Sequence, residues 1–218
     1  MKVFNKEKVI YSFNPINSPV YFVEDGETFW VETDDCYSGQ IKSASDLRPN
    51  IDISIMDAAV GPIEVANATK EDTLCVEILD IQFADQGVMV TSPGLGVLGQ
   101  KIAAPDTKII PIKDGLAHFS EEIKLPLTPM IGVLGVAPEE GDCHCATPGD
   151  FGGNMDTKEV TIGSKVYLPI FVNGAMLAVS DLHACMGDGE LSGTGIETAG
   201  KVCLKVTVIK GNQIKRPM

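Results

Sequence analysis

Thr73-Leu74-Cys75-Val76-Glu77-Ile78-Leu79-Asp80-Ile81 sets polar side chains among apolar and β-branched ones at strand spacing. That pattern predicts a strand with one face turned to a core. Working outward, Gly61 to Val65 precedes it across a polar turn at Asn67 to Asp72. Val20 to Thr33 alternates in the same way, and Val166 to Val172 and Val202 to Ile209 add two β-branched runs. Met130 to Pro138 is apolar and spaced by glycine, which predicts a buried strand with close backbone contacts. Helix signals are confined to Ser43 to Arg48 and Ile53 to Ala59, each short enough to be a single turn. With 22 glycines and 13 prolines punctuating short elements, the expectation is a mainly β fold, sandwich or barrel, with few short helices. Residues 1–218 read as one domain, or as two closely packed β subdomains.

Composition narrows the function. Thirty acidic against 17 basic residues give a net charge of −13, the wrong sign for a nucleic-acid or anionic-membrane partner. Met1 to Asn5 lacks an apolar targeting segment, and no window reaches the roughly 18 apolar residues of a membrane span. The expected location is cytoplasmic. Six scattered cysteines read as free thiols. Cys143-His144-Cys145 lacks the second cysteine pair of a zinc site.

The chemistry concentrates in Asp181-Leu182-His183-Ala184-Cys185-Met186-Gly187-Asp188-Gly189-Glu190. One imidazole, three carboxylates and a thiol share ten residues at the end of an apolar run. Each carboxylate there needs a donor, a cation or water. Three more segments share this character: Glu32 to Cys36, His144 to Asp156, and Gly193 to Glu197. All follow or interrupt apolar strands, so they can meet at one end of a β framework. Gly94 to Gly99 reads as a flexible loop over such a site and not as a phosphate cradle.

Gly61-Pro62-Ile63 through Asp80, Gly152-Gly153-Asn154-Met155-Asp156, and Asp181-x-His183-x-x-x-Gly187-Asp188-Gly189-Glu190-x-x-Gly193-Thr194-x-Ile196-Glu197 resemble the acetamidase/formamidase family of amide hydrolases. Glu32-Thr33-Asp34-Asp35 resembles that family's early acidic motif. The resemblance implies a mainly β fold, a divalent metal, and hydrolysis of short aliphatic amides to carboxylate and ammonia. Family members usually continue for several dozen residues past the strand ending near Ile209, a stretch that this sequence lacks.

Amide hydrolysis needs an activated water, a stabilised oxyanion and a proton for the leaving nitrogen. A divalent metal serves the first two needs. His183 is the first candidate ligand, with Asp35, Asp156 and Asp181 as oxygen donors; zinc fits a small donor set and calcium a larger one. Glu190 is the candidate general base, and Asn154 with the Gly152-Gly153 amides the candidate oxyanion donors. Two other readings stand beside this one. In the first, the cluster binds a metal or small ligand without catalysis. In the second, Cys185, two residues from His183, attacks the amide as a thiolate. Edge strands need protection, and a homodimer is the expected solution.

Overall fold

A computed structural model describes all residues, 1–218. It is built almost wholly from strands, with four three-residue 3-10 turns as its helical content. No helix is long and apolar enough to cross a membrane.

One sheet has five strands, ordered Lys2–Phe4, Thr28–Thr33, Gly200–Ile209, Thr73–Phe83, Lys165–Pro169. The first pair is parallel and the other three pairings are antiparallel. The second sheet has ten strands, and Leu177–His183 is its hub. That strand pairs with Ala59–Val65, with Met130–Gly135 and, at its C-terminal end, with Glu197–Thr198. Glu197–Thr198 leads on to Gln86–Thr91 and Asp106–Lys113.

Burial follows the alternation. In Thr28–Thr33 the side chains of Phe29, Val31 and Thr33 are buried while Thr28, Trp30 and Glu32 are only half-buried. By contrast, Met130–Gly135 and Leu177–His183 are buried at every residue, as strands covered on both faces must be. One cluster of 33 buried residues, including Val31, Leu74 and Leu204 from the first sheet and Ile63, Leu134 and Leu177 from the second, forms the layer between them. Truncating a side chain such as Leu134 to alanine there costs about 2–5 kcal/mol.

Two expectations need correcting in detail. Val20 to Thr33 is two strands, Tyr21–Val23 and Thr28–Thr33, split at Gly26 with φ of 83°. The first joins Ala59–Val65 in the large sheet and the second joins the small one, so the turn carries the chain between layers. Ser43 to Arg48 holds a single turn as expected, with the Asp46 N–H donating to the Ser43 carbonyl at 3.1 Å, and a 3-10 turn follows at Arg48–Asn50. The run from Val166 ends as a strand at Pro169.

Candidate functional site

The hub strand Leu177–His183 carries Asp181 and His183 into the corner where it meets Glu197–Thr198. Gly132 stands opposite Asp181 in the antiparallel register, where the ladder with Met130–Gly135 is interrupted. A Cβ on Gly132 would lie 2.0 Å from Asp181 Oδ2 and 2.6 Å from Asp156 Oδ1. Glycine is therefore what gives the two carboxylates room, and their oxygens are no further apart than the sum of those distances.

His183 sits opposite Glu197 across the strand pair. Its Nε2 is 3.1 Å from Asp181 Oδ1, 2.9 Å from Glu197 Oε2 and 3.8 Å from Asp156 Oδ1. The hydrogen bond goes to Asp181, which leaves Glu197 Oε2 without one. On the other side of the ring, Nδ1 has no partner, and a Cβ on Gly195 would lie 2.5 Å from it. Glu197 is fixed through its other oxygen: the Gly195 N–H and the Thr194 hydroxyl donate to Oε1 at 2.7 and 3.0 Å. Tyr37 Oη lies 3.3 Å from Thr194 Oγ1.

Two sets of potential ligand atoms result, each within 4.8 Å: Asp156, His183 and Glu190, and the fully buried Cys36, Asp181 and Glu197. Asp57 is buried beside them, its N–H donating to the Cys36 carbonyl at 2.8 Å. None of these carboxylates pairs with a lysine or arginine; Lys158 goes to the exposed Asp188.

That imbalance governs the acid–base state. Burial pushes Asp57 up to about 9, with the charges of Asp181 and Glu197 adding to it. Asp156 rises to about 6 through burial and the Asp181 charge. Asp181 rises to about 6 through burial, although the facing imidazole pulls it back. Burial and the nearby Asp156 carry Glu190 to about 7. For His183, burial disfavours the charged ring, but Glu197 and Asp181 more than offset this and hold its pKa well above the ordinary value. Asp57, Asp156, Asp181 and Glu190 also adopt positive φ, at 55°, 40°, 59° and 42°. Such backbone costs of order 1–3 kcal/mol per residue and clusters at functional sites.

Asp156 Oδ1 and Glu197 Oε2, both buried without a hydrogen bond and both near His183 Nε2, fit a divalent cation in their donor chemistry. Carboxylates and one imidazole suit zinc, and the number of oxygens also admits calcium.

Of the residues expected from sequence, His183, Asp156, Asp181 and Glu190 come together. Asp35 does not join either ligand set. Its Oδ1 accepts the Gly39 N–H at 3.0 Å, and its neighbour Cys36 takes the inner position. Asp34 points outward to Lys6. Asn154 lies beside Asp156, and its Oδ1 is buried without a partner. Gly152 and Gly153 pack on Leu134 and Gly135, about 10 Å along the strand from Gly132. His144 lies elsewhere, against Ser54 and Ala146. Asp57, and Glu197 as a partner of His183, were not anticipated. The one available signal for Asp57 was a carboxylate placed directly before the apolar run from Ala58.

Glu190 and residues 194–196 also line a cavity of about 720 Å³, together with Leu95, Val97, Leu98 and Ile102.

Comparison with known proteins gives consistent matches. A model of the Acetamidase/Formamidase family matches residues 4–142 and 139–218. An acetamidase of Mycolicibacterium smegmatis is 30% identical over 257 residues, covering 87% of this chain and 63% of that protein. A formamidase of Methylophilus methylotrophus is 28% identical over 252 residues, covering 88% and 61%. The chain thus spans less than two thirds of either relative's length. The crystal structure of a recombinant predicted acetamidase/formamidase from the thermophile Thermoanaerobacter tengcongensis superposes with a TM-score of 0.97 at 47% identity, over 99% of this chain and 72% of that one.

Proposed function

The chain belongs to the acetamidase/formamidase family, and from that premise we propose that it hydrolyses the C–N bond of short aliphatic amides to carboxylate and ammonia. The observation that carries this reading is His183, buried among Asp156, Asp181 and Glu197 and within reach of Glu190, with unpaired donor atoms left over.

His183, Asp156 and Asp181 would hold a divalent cation, zinc by first choice and calcium by second. When bound, such an ion lowers the pKa of its water and polarises the amide carbonyl. Glu190 stands at the junction of the cluster and the cavity, so it can take a proton from the attacking water and return it to the departing nitrogen. A carboxyl raised to about 7 exchanges protons readily near neutrality. Asp35 holds the turn that presents Cys36, a positioning role in place of the ligand role.

Supporting this over a Cys185 nucleophile, the Nε2 of His183 is committed to carboxylates, and burial raises the Cys185 thiol. The protein is taken to work as a cytoplasmic homodimer, which sedimentation of the purified chain tests.

The test is ammonia release from formamide and acetamide, with elemental analysis of the purified chain. His183→Ala should lose both metal and turnover. Turnover retained by that variant removes His183 from the mechanism, and metal retained without turnover in the parent favours a structural ion.

A further inference from the structure

We propose that the cavity beside Glu190 receives an apolar substituent of the substrate, so that the chain favours neutral primary amides bearing roughly five to ten carbons over formamide and acetamide. The proposal rests on the amide-hydrolase reading and names its substrate class.

Size is the first argument. At about 720 Å³ the cavity falls within the range that encloses drug-sized ligands, whereas a one- or two-carbon amide would leave most of it wet. The lining is the second. Met89, Leu95, Leu98, Leu125, Leu191 and Ile196 supply an apolar wall, and Glu190, Asp188 and Cys185, all from one short segment, are the ionisable groups of the lining. A ligand that places its amide at Glu190 therefore projects its remaining atoms onto hydrocarbon. Methionine and leucine are adaptable partners for an unbranched chain.

The wall is also held in place. Val97 N–H donates to the Leu191 carbonyl at 2.9 Å. Gly96 approaches so closely that a Cβ there would be 2.5 Å from the Leu191 oxygen, and one on Gly193 would be 2.8 Å from Leu95. These contacts tie the 94–99 loop to the 190–193 segment that carries Glu190. The pocket and the acid–base residue therefore share one scaffold.

The experiment titrates the full chain with acetamide, butanamide, hexanamide and octanamide by calorimetry, and measures ammonia release from the same series. Affinity and kcat/KM should each rise about two- to fourfold per added methylene until the cavity is filled. Leu98→Asp, at a position 58% exposed and so tolerant for folding, should flatten that slope. Equal affinity across the series overturns the proposal, as does an unchanged slope in Leu98→Asp. Ammonia release from acetamide with no chain-length dependence defeats this proposal and leaves the hydrolase reading standing. Chain-length-dependent binding without ammonia from any amide defeats the hydrolase reading and supports the apolar site.

Discussion

Replacing Gly132 by alanine tests the geometry of the carboxylate corner with a single methyl group. The added Cβ would meet Asp181 Oδ2 at 2.0 Å and Asp156 Oδ1 at 2.6 Å. To regain an ordinary contact, the Asp181 carboxylate must retreat by roughly 1.5 Å. It has little space for this, being 2% exposed and bound to His183. The imidazole cannot follow, because Gly195 backs it closely. Overpacking of this kind costs about 1–3 kcal/mol. For a chain of this size that is a fall in Tm of roughly 3–10 °C. Displacing ligand oxygens should also weaken zinc binding by about 10- to 100-fold, the usual effect of disturbing a ligand's support. Thermal unfolding with and without zinc, and a zinc titration, measure both effects. Gly187→Ala is the control, since nothing lies within 4 Å of a Cβ there. A Gly132→Ala protein with the parent's Tm and zinc affinity would show that the two carboxylates do not share the recess as described.

Thr194→Val removes a donor to Glu197 Oε1 and should cost about 1–3 kcal/mol in unfolding free energy, read by urea denaturation. Zinc affinity should fall with it, and a variant as stable as the parent would count against Thr194 as the support of Glu197. For pH, Asp156 and Asp181 at about 6 and Glu190 at about 7 hold protons in the folded chain that the unfolded chain has already released. Their contribution to stability is complete below about pH 4 and is lost as pH rises through 6 to 7. The Tm of the metal-free chain should therefore lose this support between about pH 4 and 7. Zinc should restore most at the alkaline end, where protons compete least; a zinc increment independent of pH would refute the linkage. Finally, a chelator should abolish ammonia release, whereas Cys185→Ser should lower kcat by less than tenfold. The opposite pattern would install the thiol as nucleophile.

Sequence carried the fold wherever one face of a strand is buried. Phe29, Val31 and Thr33 face inward because a period of two leaves them no alternative once the core side is chosen. The glycines of Met130–Gly135 likewise marked close approach, and Gly132 and Gly135 both turn out to have neighbours where a Cβ would be. The same parity misled at Asp35. Counting on from Thr33 aims it inward, but the strand stops there and the chain turns, with Ser38 N–H donating to the Asp35 carbonyl. Cys36 consequently takes the inner place. The pairing of Glu197 with His183 depends on which strands are neighbours and in what register, and no local pattern carries that information. Asp57 escaped for a related reason: its environment comes from Cys36, Ser180 and Asp181, all remote in the chain.

The charge balance of the corner ties the fold to the chemistry. Asp57, Asp156, Asp181, Glu190 and Glu197 surround one imidazole, with no lysine or arginine among their ion-pair partners. A protein relying on protons alone must keep several of these carboxyls neutral, as the rises in Asp57, Asp156, Asp181 and Glu190 express. Left ionised and unpaired, each would carry a desolvation cost of several kcal/mol. Positive φ at four of the five adds strain that nothing local repays. A divalent cation would resolve both problems at once by supplying the missing charge and a common centre for the constrained oxygens. The main β scaffold tolerates this because the interruption at Asp181 and Gly132 is a single position, and the pairing of the hub strand with Met130–Gly135 resumes on both sides of it.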